Sequence, residues 1–305
     1  MKKNDLAERL DEFLTAVRSE DELTKRTLDK YRRDIQKLID YLDPADELTK
    51  AKMLDYRDYL VAAGYEKSSI NSFVVVANKY LCWLGSPDLC VGQLKIQSTS
   101  FDDAISPVDY ERLLRRASLL AKQVEKKNQE IKTSKKKRKK IVNHAETYMA
   151  MKIFGNTGIR ISELRYFTVE NLERCTNHNK AIRVTNKGKT RDVPIRQELF
   201  REMKAYCRKN KIKSGPIIYN PDTGKMYADS TIWRRIQKLA GMAKVSLDSA
   251  HPHAFRHMFA KQYLAAGGNY FDLKTILGHS KLDTTQIYAQ STLLEQRRAI
   301  ERMKY

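Results

Sequence analysis

Near its carboxyl end the chain reads LGHSKLDTTQIY over residues 277–288. Gly278 is placed to close one helix, and Asp283 or Thr284 can cap the next. Tyr288 then lies about one turn inside the second helix. A tyrosine in such a place is ordinarily a core residue. A functional role for Tyr288 can therefore be inferred only together with motifs elsewhere in the chain.

Two earlier stretches also place basic side chains where a helix is expected to start. The first reads TGIRISEL over residues 157–164. Gly158 permits a tight turn, and Glu163 lies three residues after Arg160 on the same face of a helix. This spacing predicts an ion pair between the carboxylate and the guanidinium group.

The second stretch reads HPHAFRH over residues 251–257. Pro252 suits the first turn of a helix, and His253 and Arg256 project from the same side of it. One helix end can therefore offer two donors to a phosphate group. His253 and His257 also have the spacing of a zinc-binding pair, but no glutamate follows the first histidine and no third ligand is evident. We therefore expect no metal.

Together, the order and spacing of these segments resemble the active-site boxes of the tyrosine recombinases, the phage integrase family. The resemblance spans most of residues 105–290 and rests on Arg160, Glu163, Lys187, His253, Arg256, Leu277, Gly278, His279 and Tyr288. Ile159 and Phe255 stand where leucine is commoner in that family, which affects packing. The implied fold is mainly helical with a small β-sheet: a four-helix core-binding (SAM-like) domain followed by an α+β catalytic domain.

The resemblance implies site-specific DNA recombination of the integrase, transposon or Xer type. Tyr288 would attack a DNA phosphate, forming a 3′-phosphotyrosine and releasing a 5′-hydroxyl, and strand exchange would pass through a Holliday junction. Arg160 and Arg256 are expected to hold the non-bridging oxygens, because guanidinium forks match phosphate geometry. His253 is expected to bond the same phosphate and to assist proton removal from Tyr288. The covalent bond conserves the phosphodiester energy, so no cofactor, neither ATP nor a metal, is expected.

Three further residues take supporting roles by resemblance. Lys187, in the turn of a predicted hairpin, is expected to protonate the departing 5′-hydroxyl, with Lys189 as the alternative. Glu163 is expected to orient Arg160, and His279 to contact the phosphate or support the tyrosine helix. A purely structural role stays open for both Glu163 and His279.

The first hundred residues read as short amphipathic helices. Apolar side chains recur every three or four residues over 6–17 and over 28–42. A third helix is expected over residues 50–63, and a fourth begins after Ser68 and Ser69, either of which can cap it. Helices joined by such short loops predict a small bundle.

Proline, glycine and polar residues over 86–107 predict a linker. We accordingly place a helical DNA-binding domain at residues 1–98, a linker at 99–107 and a catalytic domain at 108–305. In the last, two short β-prone runs predict a hairpin over residues 181–195. Helices are expected over residues 108–122, from 146 to about 155, and over 197–209, 230–243, 254–266, 270–277, 284–290 and 293–304.

Positive charge is concentrated in the second part of the chain. Residues 1–100 carry 16 Lys and Arg against 17 Asp and Glu, whereas residues 101–305 carry 42 against 20. Such a positive field favours nucleic acid as the partner. The alternatives are a protein that binds anionic membranes and a basic protein whose charge serves only to keep it soluble.

A basic insertion over residues 123–143 contains six consecutive basic side chains. Because like charges repel, we expect it to be a solvated or mobile loop. DNA contacts are expected from Lys135, Lys136, Lys137, Arg138, Lys139, Lys140, Lys189 and Arg191.

Four widely separated cysteines without a CxxC pair indicate buried free thiols. No apolar stretch approaches the roughly 20 residues needed to cross a bilayer. We therefore expect no membrane partner and a cytoplasmic location, on the bacterial nucleoid when the protein is bound to DNA.

The resemblance implies double-stranded DNA as partner and a homotetramer on two DNA sites, assembled from monomers in free solution. The helix over 293–304 can dock on a neighbouring protomer or pack on its own domain. Two other functions stay open. A type IB topoisomerase relaxes supercoils with a similar residue set, and a non-catalytic DNA-binding regulator would bind without cleaving.

Overall fold

The computed structural model describes residues 1–21, 23–96, 104–132, 144–175, 180–186, 188–220 and 223–278. The chain divides into two compact units, Met1–Thr99 and Ser100–Tyr305, each with its own apolar core. Among the described residues, no helix is both long and apolar enough to span a bilayer.

The first unit is a bundle of short helices. Their bounds are α1 Lys3–Glu8, α2 Leu10–Glu20, α3 Lys25–Tyr41, α4 Lys50–Ala62 and α5 Lys67–Trp83, followed by a 3₁₀ turn at Pro87–Leu89. The apolar faces meet around Phe13, whose ring centroid lies 4.9 Å from that of Tyr80 and 5.6 Å from that of Trp83. This packing confirms the helical bundle that the periodicity predicts.

The helix expected across residues 6–17 is broken at Arg9, where the backbone leaves helical geometry (φ −92°, ψ 1°). The carbonyl of Leu6, which a continuous helix would offer to Leu10, accepts the buried hydroxyl of Tyr80 at 2.6 Å. We attribute the break to this contact, which ties α5 to α1 across the bundle.

The fourth expected helix, α5, begins at Lys67 with Glu66 as its N-cap, so the prediction that Ser68 or Ser69 caps it is wrong. The carbonyl of Glu66 already accepts the N–H of Ile70 at 3.0 Å. Both serines therefore fall within the first turn.

The second unit is mainly helical, with one small sheet. Its elements are α6 Pro107–Lys132, α7 His144–Thr157, a 3₁₀ helix Ile161–Tyr166, α8 Val169–Glu173, β1 Ala181–Asn186, β2 Lys189–Pro194, α9 Gln197–Lys209, α10 Asp229–Ala243, α11 Pro252–Ala265 and α12 Tyr270–Leu277. The apolar α7 lies at the centre and packs against α6, α9, α10 and α11. Tyr110 of α6 donates its hydroxyl to the carbonyl of Met151 at 3.0 Å, which fixes α6 on α7.

The sheet is the expected antiparallel hairpin. Ala181 lies opposite Pro194, and Asn186 lies opposite Lys189. Side chains alternate between the two faces of a strand, and Val184 and Val193 are buried on the face that joins the core. The other face is exposed and carries the Arg183–Asp192 ion pair (2.8 Å).

Helix α6 runs on to Lys132, well past the end expected near residue 122. The prediction of a solvated or mobile loop over 123–143 is therefore wrong for residues 123–132. This stretch, QVEKKNQEIK, contains good helix formers and no glycine or proline, and Glu125 pairs with Lys209 of α9 at 2.6 Å. Residues 133–143, which include the basic run Lys135–Lys140, lie outside the described part of the chain.

Candidate active site

The turn after α7 delivers Arg160 to the site. Gly158 has φ +64°, and a Cβ on it would lie 2.5 Å from Phe259 and 2.8 Å from Leu277, so this turn requires glycine. Arg160 then caps the 3₁₀ helix. Its backbone N–H donates to Glu163 Oε2 at 2.8 Å, and its Nη1 donates to Glu163 Oε1 at 3.2 Å. The ion pair expected from the spacing is present, at the start of a 3₁₀ helix.

Helix α11 positions the second basic pair. Nδ1 of His251 accepts the N–H of Ala254 at 3.1 Å, and Pro252 occupies the first turn, so the helix start has both a cap and a pre-set backbone. One turn apart, His253 is exposed and Arg256 is only 2% exposed. The two side chains thus reach the site at different depths.

Arg256 is held in place by backbone carbonyls from two distant segments. Its Nη1 donates to the carbonyl of Gly158, and its Nη2 donates to the carbonyl of Leu277, both at 2.7 Å. These bonds join α11 to the turn after α7 and to the end of α12. A buried guanidinium needs such acceptors, because an unpaired buried charge is costly.

Three successive carbonyl groups at the end of α12 each accept a hydrogen bond from an arginine. The last carbonyls of a helix lack intrahelical donors and carry partial negative charge, so guanidinium groups suit them. The bonds are Arg191 Nε to Ile276 O (2.7 Å), Arg256 Nη2 to Leu277 O (2.7 Å), Arg160 Nη1 to Leu277 O (3.3 Å) and Arg160 Nη2 to Gly278 O (3.2 Å). The 3₁₀ helix, β2, α11 and α12 therefore converge at one point.

Glu163 supplies the negative charge at the centre of the cluster. The residue is fully buried, and Arg191 donates Nη1 to its Oε1 and Nη2 to its Oε2, both at 2.7 Å. Burial alone raises the pKa of Glu163, but the bonds from Arg191 and from the backbone N–H of Arg160 outweigh it and lower the pKa below its usual value. Glu163 is therefore ionised at neutral pH.

His253 is biased toward its neutral form. Partial desolvation lowers its pKa, and the positive charges of Arg256, His251 and Arg160 lower it further. A neutral imidazole has one ring nitrogen that can accept a proton.

The structure brings together Arg160, Glu163 and Arg256, and it adds Arg191 to them. Lys189 is exposed at the start of β2. The remaining residues predicted for the site lie outside the described part of the chain: Lys187, His279, Tyr288 and the run Lys135, Lys136, Lys137, Arg138, Lys139 and Lys140.

Arg191, which the sequence predicts as a DNA contact, is held by groups of the protein itself. Its side chain is 9% exposed, and its guanidinium forms a two-pronged ion pair with Glu163. Reaching a phosphate would leave a buried carboxylate without this partner, so the structure favours a pairing role for Arg191, and its DNA contact stays a prediction. A period-two reading of β2 could have found this, since Arg191 shares a strand face with the buried Val193.

Within the described residues, the cluster sets the guanidinium groups of Arg160, Arg191 and Arg256 against the single carboxylate of Glu163. This excess of positive charge can attract an oxyanion such as a phosphate. The side chain of Arg160 is 28% exposed, so it is the guanidinium of the cluster most open to a ligand.

Comparisons with known proteins identify the family. The sequence profile of the phage integrase family matches residues 117–294, and the profile described as "Phage integrase, N-terminal SAM-like domain" matches residues 10–86. The tyrosine recombinase XerD of Vibrio vulnificus (strain YJ016) is 25% identical over 289 residues, which cover 92% of this chain and 89% of that protein. The tyrosine recombinase XerA of Pyrococcus furiosus is 32% identical over 152 residues, covering 48% of this chain and 50% of that protein.

Solved structures share the fold. The integrase of transposon Tn1549, in complex with transposon right end DNA, matches with a TM-score of 0.71 at 18% identity over 99% of both chains. A lambda integrase dimer bound to a core site matches with a TM-score of 0.67 at 13% identity, over 92% of this chain and 96% of that one. Because the family profile covers more than half of the chain and spans the segments that hold Arg160, Arg256 and Tyr288, the chain belongs to the phage integrase family of tyrosine recombinases.

Proposed function

We propose that this protein is a site-specific recombinase that cleaves and rejoins double-stranded DNA through a 3′-phosphotyrosine on Tyr288. The observation that carries the proposal is that Arg160 and Arg256, from distant segments, donate to one carbonyl oxygen, that of Leu277. Leu277 begins the LGHSKLDTTQIY segment that ends in Tyr288. The arginine cluster therefore lies at the first residues of the segment that carries the proposed nucleophile.

The arginines would neutralise the phosphate. A phosphodiester is anionic, so attack by a phenolate is slow unless its charge is compensated. Arg160, partly exposed, would bind a non-bridging oxygen, and this bond would compete with its 3.2 Å bond to the carbonyl of Gly278. Arg256 is buried, and its positive charge would attract the phosphate more strongly there because the protein interior has a low dielectric constant.

The proton transfers follow from the neighbouring groups. His253, neutral near pH 7, would accept the proton of the Tyr288 hydroxyl as the tyrosine oxygen bonds to phosphorus. The bond from phosphorus to the 5′-oxygen breaks, and Lys187, or the exposed Lys189, would give that oxygen a proton. A 5′-hydroxyl of the partner strand then attacks the phosphotyrosine and reverses the step, so no external energy source is needed.

The partner would be duplex DNA. The Tn1549 and lambda integrases were solved with DNA, and residues 101–305 carry the excess of basic side chains. We further propose that four protomers assemble on two DNA sites and exchange strands through a Holliday junction. Residues 1–98 would form the core-binding domain and residues 108–305 the catalytic domain. Lys135–Lys140 would contact the DNA backbone, so replacing the six with glutamine should flatten the dependence of affinity on salt.

The covalent adduct provides the test. Duplexes bound by a Tyr288→Phe variant would be selected from a randomised pool and rebuilt with a nick beside the cleavage point, so that the released strand diffuses away. Wild-type protein should accumulate a denaturant-resistant adduct that peptide mass spectrometry locates at Tyr288. The Tyr288→Phe variant should bind the same DNA without an adduct, and Tyr263→Phe, a matched control, should behave as wild type.

Each alternative predicts a different result. Adduct formation by Tyr288→Phe would mean that the nucleophile lies elsewhere. Relaxation of any supercoiled plasmid, without a junction on any pair of sites, would indicate a type IB topoisomerase. Salt-sensitive binding without an adduct in wild type would indicate a non-catalytic regulator.

A further inference from the structure

Glu163 bonds two arginines, and its bonds to one of them are shorter and more numerous. Arg191 binds both carboxylate oxygens at 2.7 Å, whereas the guanidinium of Arg160 reaches only one of them, at 3.2 Å. The side chain of Arg191 is 9% exposed, and that of Arg160 is 28% exposed. The buried Arg191 therefore bonds both oxygens of Glu163, and the more exposed Arg160 has a single, longer side-chain bond to it.

We propose that Arg191 is a positioning residue that occupies Glu163 and thereby leaves the guanidinium of Arg160 available to the DNA phosphate. The inference rests on the proposed function, because it concerns the phosphate that Arg160 would bind. Arg191 would thereby affect the reaction without contacting the phosphate.

The physical argument concerns a buried charge. A carboxylate in the interior must be paired, because its desolvation costs several kcal/mol. With Arg191 removed, Arg160 is the other guanidinium bonded to Glu163 among the described residues, and it would turn inward to form the two-pronged pair. An arginine engaged in this way has less of its fork for a phosphate.

A second contact of Arg191 fixes the end of α12. Its Nε donates to the carbonyl of Ile276 at 2.7 Å, two residues before Gly278, whose carbonyl accepts from Arg160. A Cβ on Gly278 would lie 2.9 Å from Cδ of Arg191, so the two segments are in direct contact. Arg191 therefore holds both the acid beside Arg160 and the helix end on which Arg160 rests.

Arg191 also joins this cluster to the hairpin. It lies on β2 opposite Val184, two residues after Lys189. Lys189, the alternative general acid, begins β2, and Lys187 directly follows the last residue of β1 in the sequence. The side chain of Arg191 thus links the strand that begins at Lys189 to α12, after which the sequence leads to Tyr288.

The experiment measures the rate of adduct formation and DNA affinity on the nicked substrate for Arg191→Gln, Arg191→Lys, Glu163→Gln and the double variant Arg191→Gln/Glu163→Gln. Arg191→Gln should slow adduct formation by about 10- to 100-fold with little change in affinity, because Arg160 is misdirected rather than lost. Arg191→Lys keeps the charge without the fork and should give an intermediate rate. Arg183→Gln is the matched control, since it breaks an exposed ion pair on the same hairpin, and its rate should stay within about twofold of wild type.

Two readouts separate positioning from a general loss of structure. Neutralising the acid removes the group that captures Arg160, so the double variant should cleave faster than Arg191→Gln alone. The defect of Arg191→Gln relative to wild type should also shrink as the pH falls and Glu163 becomes protonated. A defect of folding would show neither effect.

The outcomes are distinguishable. No adduct from wild-type protein contradicts the proposed function and, with it, this inference. A wild-type adduct with Arg191→Gln cleaving at the wild-type rate, or with a folded double variant no faster than the folded single one, contradicts the inference alone. Should thermal melting show that Arg191→Gln does not fold, Arg191→Lys decides: a wild-type rate with a wild-type pH profile would overturn the role of the fork.

Discussion

Replacing Gly278 by alanine tests how tightly the end of α12 is packed against Arg191. Gly278 has φ +67°, a conformation that disfavours any side chain. An added Cβ would lie 2.9 Å from Cδ, 3.0 Å from Nη1 and 3.1 Å from Cζ of Arg191. These atoms cannot swing away freely, because the same guanidinium is bonded to Glu163 and to the carbonyl of Ile276.

The expected cost has two parts. Placing alanine in the left-handed region costs about 1–2 kcal/mol, and overpacking against a held side chain costs about 1–3 kcal/mol. A central total of about 3.5 kcal/mol lowers the melting temperature of a unit of this size by about 7–14 °C. Adduct formation should slow as well, since Arg191 must shift.

Gly267→Ala is the matched control. Gly267 also follows a helix, α11, with φ +85°, but no heavy atom of the described residues lies within 4 Å of its would-be Cβ. It should lose only the backbone part, about 1–2 kcal/mol. Differential scanning calorimetry of both variants measures the difference, and equal losses of melting temperature would refute the packing argument.

Three further changes have defined outcomes. Because Glu163 has a lowered pKa in the folded state, its stabilisation is present above its unfolded value of 4.5 and is lost as the pH falls through the lower folded value. Urea unfolding in this acid range should therefore show a steeper loss for wild type than for Glu163→Gln, and parallel curves would contradict the assignment. The lowered pKa of His253 means that the unfolded chain binds a proton first, so stability should fall as the pH drops below 6.5; an NMR titration of its imidazole with a midpoint at or above that value would count against this. Gly155→Ala places a Cβ 2.3 Å from the hydroxyl of Tyr110 in the core and should cost about 1–3 kcal/mol in chemical denaturation, whereas Gly92→Ala, with open space among the described residues, should be nearly neutral.

Local pattern was enough to predict several elements. Helices α9 and α12 begin and end where the spacing of apolar residues and the flanking breakers indicated. Asn269 caps α12 through its side chain, which accepts the N–H of Phe271, and Gly278 closes it in the left-handed conformation. Such signals lie within a few residues of the element that they define.

The break within the first expected helix depended on a contact between distant segments. The break at Arg9 reflects a carbonyl claimed by Tyr80, more than seventy residues away in sequence. Tyr80 lies outside the stretch whose periodicity predicted that helix. The extension of α6 to Lys132 agrees instead with a local signal, a run of good helix formers without glycine or proline, to which the exposed ion pair between Glu125 and Lys209 adds little.

The sequence alone determined the family of this protein, because the order and spacing of its motifs can be read along the chain. It also predicted the pairing of Arg160 with Glu163, because the two residues are only three positions apart. Only the tertiary structure decided that Arg191 is the stronger partner of that acid and that three arginines hold the end of α12. A buried carboxylate is paired with whichever cation the packed fold brings within hydrogen-bond distance, and this proximity arises from the packing of segments that the sequence keeps far apart.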